Sequence, residues 1–487
     1  MTQDRPLSVV EALLPLVTLA SLLVACAIFL EINGQLLVLV LLVSGAVAGL
    51  IAIRRGGTWD DIQKVAGERF SSVLPVILIL LAIGLLIASW VVSGTIPFIV
   101  YWGTRLVRPD MLVLTAFVAT SIMSLCTGTS WGSAGTVGVA LMGMAQALHA
   151  PLPIVAGAIV SGAYFGDKMS PLSDSTNICA IAANVPLYRS IRHLLYTAVP
   201  SFTVCLIVYS IAARYSTVNG DSVPDSALLL MTELEKTFTL SPIALVPLVI
   251  VLWGIIRRYP PALAIVLSSA VALVIAIFMQ HVSPIDAFTS AVTGVRVEML
   301  PFKSGGQPSE NFVTLVQRGG LESMASTLLV IIIAFLLAAA MEISGALSLL
   351  IGRMLGAVRS VFTLVAATMA SGATMIALTS HGGVTALVIG GLFQPAYKER
   401  GLAPENLSRS LEDSVTITEP LMPWTVSAIF MATTLGVPTT QYGPWAVFCY
   451  GGPIFSLLIA ALYRVSGYGI RKEVDQPAAV PIVTVTA

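Results

Sequence analysis

Long apolar segments recur along almost the whole chain, and they constrain the fold more than any other feature of the sequence. A helix needs about 20 predominantly apolar residues to cross the hydrocarbon core of a bilayer. Segments close to this length cover residues 9–32, 34–53, 72–92, 191–213, 242–256, 261–280, 326–343 and 442–463. Only 10% of the residues are charged, whereas soluble domains carry about 25%. The sequence therefore predicts an all-α, multi-pass membrane protein in contact with the lipid bilayer.

Charge and cysteine content exclude several classes of function. The formal net charge is zero, which argues against a nucleic-acid partner. The five cysteines form no CxxC or CxxH pattern, so we expect buried thiols rather than disulfides or metal ligands, and no cofactor. The first apolar segment lacks a signal-peptide cleavage pattern and is interpreted as a retained helix.

Three short motifs occur twice, in the same order and roughly half a chain apart. Residues 93–94 (SG) match 344–345 (SG), 129–132 (TSWG) match 379–382 (TSHG), and 170–172 (SPL) match 419–421 (EPL). Paired repeats with interrupted helices are typical of secondary transporters. We therefore predict two repeats with broken or re-entrant helices in an ion-transporter-like fold.

The distribution of Lys and Arg predicts how the chain crosses the membrane, because basic residues concentrate in cytoplasmic loops. Arg54, Arg189 and Arg257 mark cytoplasmic loops, whereas the acidic segment 214–240 fits the outside. On this path the two repeats have inverted topology and both termini are cytoplasmic. The predicted divisions are 1–70 (two helices and a loop), 71–213 (repeat one), 214–325 (connecting segment), 326–470 (repeat two) and 471–487 (tail).

The most informative segment is 157–177, where charged and polar residues interrupt an apolar stretch. Charges that face lipid cost several kcal/mol, so Asp167, Lys168 and Asp174 must face protein or water. Gly166 and Pro171 are expected to break the helix there. The segment offers oxygen ligands for a hard cation such as Na⁺ from Asp167, Ser170, Asp174, Ser175, Thr176 and Asn177. An extramembrane loop is the alternative, and Lys168 either neutralises Asp167 or takes part in proton coupling.

Two further segments contain candidate site residues. Thr129 and Ser130 follow a Gly-rich break, where small residues serve either close helix packing or oxygen donation. The corresponding His381 is either structural or a proton relay. In 411–424, Asp413 and Glu419 are the acids expected at membrane depth, whereas Glu412 is interpreted as a cap of a helix N-terminus.

Three runs together, GTSWGSAG, GAIVSGAYFGDKMSPLSDSTN and LEDSVTITEPLMPW, resemble the NhaC family of Na⁺/H⁺ antiporters. The resemblance implies a secondary antiporter that exports Na⁺ against inward H⁺, with an inverted-repeat fold. It also implies that Asp167, Ser170, Asp174 and Thr176 lie near the ion site, with Asp413 contributed by the second repeat. Glu419 departs from the family pattern, since a neutral residue is usual there. We expect the inner membrane of a prokaryotic cell as the location.

Two alternatives to cation exchange remain at this point. Similar proteins exchange organic acids such as malate and lactate, but a carboxylate site needs a deep basic group or a helix N-terminus, and Lys168 is the only deep candidate. An intramembrane enzyme would need a catalytic set, either HExxH, which the sequence lacks, or a GxSxG-type nucleophile with a base, and the GTSWG run at 128–132 has no matched His/Asp partner in the sequence.

The expected mechanism is competition between Na⁺ and H⁺ for one carboxylate cluster. Asp174 is the leading Na⁺ ligand, and Asp167, Lys168, Asp174 and His381 are the candidates for proton coupling. A carboxylate removed from water binds a proton more readily, so either cation can neutralise the site. Na⁺ and H⁺ are the expected substrates, and the choice between monomer and homodimer stays open.

Overall fold

The computed structural model describes residues 7–29, 34–72, 74–106, 109–215, 225–257, 259–302, 307–380 and 382–473. Within these ranges the chain forms α-helices joined by short 3-10 and π segments, and it forms no strand. The predicted all-α class is therefore confirmed.

The helices of the first half include the segments predicted to carry the first repeat. They are α1 (Val9–Phe29), α2 (Gly34–Arg54), α3 (Trp59–Ser72), α4 (Leu74–Val92), α5 (Thr95–Leu106), α6 (Leu112–Thr127), α7 (Ser130–Ser133), α8 (Val139–Ala147), α9 (Leu152–Met169), α10 (Asp174–Ala182), α11 (Leu187–Tyr215) and α12 (Asp225–Thr237).

The remaining helices belong to the predicted connecting segment and to the second repeat. They are α13 (Val246–Ile256), α14 (Pro261–Phe278), α15 (Pro284–Thr293), α16 (Glu310–Val316), α17 (Ala325–Ile343), α18 (Ala346–Gly356), α19 (Val361–Thr379), α20 (Gly382–Glu399), α21 (Glu405–Leu411), α22 (Val426–Leu435), α23 (Thr439–Tyr442) and α24 (Val447–Ser466). Two π segments, Ala134–Gly138 and Glu412–Thr416, continue α7 and α21.

Many of these helices are long and apolar enough to cross a bilayer. In the described ranges six helices pass this test alone, and up to nine spans result if each bent helix pair counts as one. The bent pairs are α4 with α5 at 69°, α12 with α13 at 98° and α23 with α24 at 54°. The multi-pass prediction is therefore confirmed.

Helix interruptions recur at the duplicated motifs in both halves. Left-handed backbone separates α4 from α5 at Gly94 (φ 79°) and α17 from α18 at Gly345 (φ 76°). It also ends α6 at Gly128 (φ 70°) and α19 at Ser380 (φ 54°). These two breaks thus occur in the same order in both halves, while the repeat relationship and its inverted orientation stay predictions.

Gly166 has a different role from the one predicted. α9 continues through Gly166 to Met169, and the helix ends at Ser170. A Cβ at Gly166 would lie 2.5 Å from Ser124 Cβ and 2.7 Å from the carbonyl oxygen of Ser121, both on α6. The glycine therefore allows α9 and α6 to pack closely, and the break lies beyond it.

The two halves meet where their broken helices lie. α10 packs on α20, and the π segment Glu412–Thr416 packs on both α10 and α19. Near the end of the described chain, the Ala403 N–H donates to the carbonyl of Arg471 (3.0 Å), and Arg409 donates to the carbonyl of Gly469 (2.5 Å). These bonds tie residues 469–471 to the last turn of α21 and to the residue that precedes Pro404.

The cysteines are only partly as expected. Cys179, Cys205 and Cys449 are buried, which confirms the prediction for them. The prediction is wrong for Cys126, which is exposed on α6, and Cys26 is partly buried. A thiol behaves as a small apolar group, so a membrane protein tolerates it in either environment and composition cannot distinguish the two.

Candidate cation site

A cavity of about 920 Å³ lies among the helix breaks of both halves. Its polar lining residues are Thr127, Thr129, Ser130, Asp167, Asp174, Ser175 and Asn177 from the first half and Ser380, Thr416, Glu419 and Ser427 from the second, with Tyr164, Tyr188 and Tyr259. Tyr188 and Tyr259 are exposed and mark the open end. No Lys or Arg lines the cavity in the part of the chain that the structure describes. The described lining therefore combines carboxylates and hydroxyls without a Lys or Arg.

Asp167 lies in the last turn of α9 and is half-buried. The Ser130 hydroxyl donates to Asp167 Oδ2 at 3.1 Å, and the Ser175 hydroxyl lies 3.5 Å from the same atom. Ser130 is placed by the N-cap of α7, where the Thr129 hydroxyl accepts the Gly132 N–H at 3.1 Å. Residues from two separate breaks thus converge on one carboxylate.

Asp174 lies at the other side of the same break and is exposed. It is the first residue of α10, a position where the helix dipole favours negative charge. Asn177 stabilises the backbone between α9 and α10, because its side-chain amide donates to the carbonyls of Ser173 (2.6 Å) and Pro171 (3.2 Å). Ser170 is buried, and its hydroxyl accepts the Leu172 N–H at 3.2 Å.

Lys168 does not pair with Asp167, so the interpretation that Lys168 neutralises Asp167 is wrong. It forms an ion pair with Asp413 from the second half, and the two residues are 1% and 0% exposed. The ammonium also donates to Thr197 on α11 at 3.0 Å. Consecutive helical residues do not face each other, so Asp167 faces the cavity while Lys168 reaches the buried layer behind it.

Glu412 is a site residue that the sequence reasoning missed. The π segment Glu412–Thr416 continues α21, so Glu412 lies within helical backbone and the interpretation as an N-terminal cap is wrong. Its carboxylate is fully buried and accepts hydrogen bonds from Thr176 (2.8 Å) and Thr416. Glu412 and Asp413 are adjacent acids in an apolar segment, and exposing them to lipid would cost free energy. This was the sequence signal that could have placed Glu412 in the protein interior.

Glu419 and the second break complete the far wall of the cavity. Glu419 is 9% exposed, and Ser427 near the start of α22 lines the cavity together with it. A Cβ at Gly382 would lie 3.1 Å from Glu419 Oε2, so the start of α20 lies against this carboxylate. His381 lies outside the described residues.

The predicted residues thus separate into two layers. Thr129, Ser130, Asp167, Asp174, Ser175, Asn177 and Glu419 line the cavity. Lys168, Thr176 and Asp413 form a buried layer together with Glu412 and Thr197. Thr197 carried no sequence signal, because a threonine within an apolar helix is unremarkable until its partner is known.

Comparisons with known proteins agree with this arrangement. The model of the Na⁺/H⁺ antiporter family matches residues 162–463, a range that contains both layers except Thr129 and Ser130. An uncharacterized Na⁺/H⁺ antiporter of Haemophilus influenzae is 42% identical over 432 residues, which cover 89% of this chain and 91% of the relative.

Two further relatives have more specific names. The Na⁺/H⁺ antiporter NhaC of Alkalihalophilus pseudofirmus is 32% identical, with 96% of this chain and 98% of the relative covered. A malate-2H⁺/Na⁺-lactate antiporter of Bacillus subtilis is 31% identical, with 89% and 90% covered. The family match over most of the chain and the near full-length relatives show that this transporter belongs to the Na⁺/H⁺ antiporter family.

Proposed function

We propose that this protein exchanges Na⁺ for H⁺ across the inner membrane of a prokaryotic cell, with Asp167 as the carboxylate that both cations share. The main supporting observation is the cavity lined by Asp167, Asp174 and Glu419 together with hydroxyl groups. None of the described lining residues has a basic side chain. Carboxylate and hydroxyl oxygens suit a hard cation, and they repel an anion.

The exchange follows from the environment of Asp167. A carboxylate partly removed from water binds a proton more readily than one in solution, and Na⁺ competes for the same oxygens. Ser130 and Ser175 lie within 3.1 and 3.5 Å of Asp167 Oδ2 and supply neutral oxygens beside it. Either cation neutralises the carboxylate, and only the neutralised site crosses the apolar barrier as the two halves move to give alternating access.

The open end of the cavity indicates the side from which Na⁺ enters. Tyr188 and Tyr259 at this end are close in sequence to Arg189 and Arg257, which the distribution of basic residues assigns to the cytoplasm. The structure then corresponds to an inward-open state. Na⁺ export fits a site that loads from this side.

Organic-acid exchange is less well supported by the geometry. A carboxylate substrate needs a basic side chain or a free helix N-terminus. Lys168 is paired with Asp413, Arg409 is buried against the carbonyl of Gly469, and neither lines the cavity. The N-terminus of α10 carries Asp174, which would repel an incoming carboxylate.

The test is a proteoliposome assay with an interior pH dye, in which Na⁺, Li⁺, K⁺ and malate are added in turn. We expect Na⁺ alone to change the interior pH. Asp167→Asn should abolish this response, whereas Asp174→Asn, at an exposed position, should weaken the apparent Na⁺ affinity and leave exchange measurable. Asp60→Asn, an exposed acid on α3, is the control and should behave as the unmodified protein.

Two outcomes would contradict this proposal. A pH response that requires malate or lactate would favour organic-acid exchange. Full activity of Asp167→Asn together with loss of activity in Asp174→Asn would transfer the shared carboxylate to Asp174.

A further inference from the structure

Three oxygen atoms surround the hydroxyl of Thr176 behind the cavity. This hydroxyl lies 2.8 Å from Glu412 Oε1, 3.2 Å from the carbonyl oxygen of Lys168 and 3.3 Å from that of Asp167. Thr176 and Glu412 are both fully buried. The cluster joins the end of α9, the start of α10 and the π segment after α21.

The acceptor oxygens around Thr176 outnumber the hydrogens that its hydroxyl can donate. A threonine hydroxyl has one hydrogen to donate, and here it faces three acceptor oxygens. The two carbonyls belong to the last turn of α9, where helix geometry leaves carbonyl groups without intrahelical partners. The Ser170 N–H, at 3.2 Å, serves only the Asp167 carbonyl. The cluster therefore holds more electron-rich oxygens than this hydroxyl can satisfy.

We propose that this cluster is an inner binding position for a small monovalent cation, Na⁺ or Li⁺. Its ligands are the carbonyl oxygens of Asp167 and Lys168, the hydroxyl of Thr176 and the carboxylate of Glu412. Carbonyls at the C-terminal ends of broken helices coordinate cations in transporters, and the helix dipole adds partial negative charge there. The position goes beyond the Asp167 side chain, which faces the cavity.

The surroundings supply a route and a suitable charge. Thr416 lines the cavity and also donates to Glu412, so it lies between the cavity and the cluster. Lys168 is the nearby cation, and its ammonium is engaged by Asp413 and Thr197. The negative charge of Glu412 is therefore available to a cation that enters past Thr416.

The test measures binding rather than transport, so it is independent of the exchange assay. Radioactive ²²Na⁺ binding to the purified full-length protein is titrated at one fixed pH. Thr176→Val keeps the side-chain shape and removes the hydroxyl, and Glu412→Gln removes the charge. Each should weaken Na⁺ binding at this position at least tenfold and lower the number of Na⁺ bound per chain. Thr176→Ser, which keeps the hydroxyl, should bind as the unmodified protein does.

Asp167→Asn separates this inference from the proposed function. It removes the cavity carboxylate and keeps the backbone carbonyl, so we expect exchange to be lost while Na⁺ binding at the inner position persists. Unchanged Na⁺ binding in both Thr176→Val and Glu412→Gln would overturn the inner position and leave the proposed exchange intact. Loss of all binding in Asp167→Asn alone would also overturn it. A Thr176→Val protein that does not fold leaves Glu412→Gln as the deciding variant.

Discussion

At the scale of single residues, the most consequential contact is the ion pair between Lys168 and Asp413. Both side chains are withdrawn from solvent, and the Thr197 hydroxyl lies 3.0 Å from the ammonium and 3.3 Å from Asp413 Oδ1. Two charges in such a place are tolerated only as a pair. The pair therefore links the end of α9 to the second half and keeps the Lys168 charge away from the cavity.

Separate removal of either partner should destabilise the protein strongly. Lys168→Met or Asp413→Asn leaves one buried charge without its partner. For buried pairs this lowers the free energy of unfolding by about 3–5 kcal/mol. The Lys168→Met/Asp413→Asn double variant removes both charges and should recover most of the loss in melting temperature. Thermal unfolding of the purified protein measures this coupling. Additive losses in the double variant would show that the pair contributes little.

At the scale of elements, the breaks matter more than the helices that they interrupt. Gly128 ends α6 with φ 70°, and a Cβ there would lie 2.6 Å from the backbone carbon of Leu172, next to the break after α9. The break after α6 and the break after α9 are therefore packed against each other. This contact positions Ser130 beside Asp167.

The packing of the two breaks can be separated from backbone strain. Gly128→Ala should introduce left-handed strain of about 1–2 kcal/mol and also a clash with Leu172. Gly401→Ala is the matched control, because Gly401 has φ 60° and open space around it. We expect Gly128→Ala to lower the melting temperature further and to impair Na⁺ exchange. Equal effects of the two substitutions would mean that the contact with Leu172 is unimportant.

At the scale of the whole molecule, the two halves enclose the cavity between them and leave it open at one end. The first half contributes Asp167 and Asp174, and the second half contributes Glu419. Tyr188 and Tyr259 border the open end. In the proposed alternating-access mechanism, such a cavity exposes its site to one side of the membrane at a time.

Side-specific labelling should reveal the orientation of the cavity. Ile178→Cys, on the cavity wall, should react with a membrane-impermeant thiol reagent from the cytoplasmic side, and Na⁺ should slow the reaction. Glu235→Cys, exposed in the segment predicted to lie outside, is the opposite-side control. The exposed Cys126 is replaced by Ser in both proteins. Faster labelling of Ile178→Cys from the outside would reverse the proposed orientation.

Much of this architecture could be predicted because the bilayer imposes simple rules on sequence. Apolar segments of spanning length predicted the helices, and the duplicated SG, TSxG and SPL or EPL motifs fell at the observed breaks. A charged side chain that faces lipid costs free energy. The sequence alone therefore predicted that five charged residues in apolar segments face protein or water, namely Asp167, Lys168, Asp174, Asp413 and Glu419. These are local properties, and the chain carries them without reference to its fold.

Which side chains contact each other was decided by the tertiary structure. The sequence placed Lys168 beside Asp167, but helical rotation points the two in different directions, and the partner of Lys168 is 245 residues away. Glu412 resembled an N-terminal cap until the helical backbone of α21 was found to continue through it as a π segment. Gly166 resembled a breaker until α6 was found against it. Sequence alone thus determined which residues cannot face lipid, whereas only the packing of the two halves decided which of them face each other, because contacts between distant segments depend on geometry that local composition does not encode.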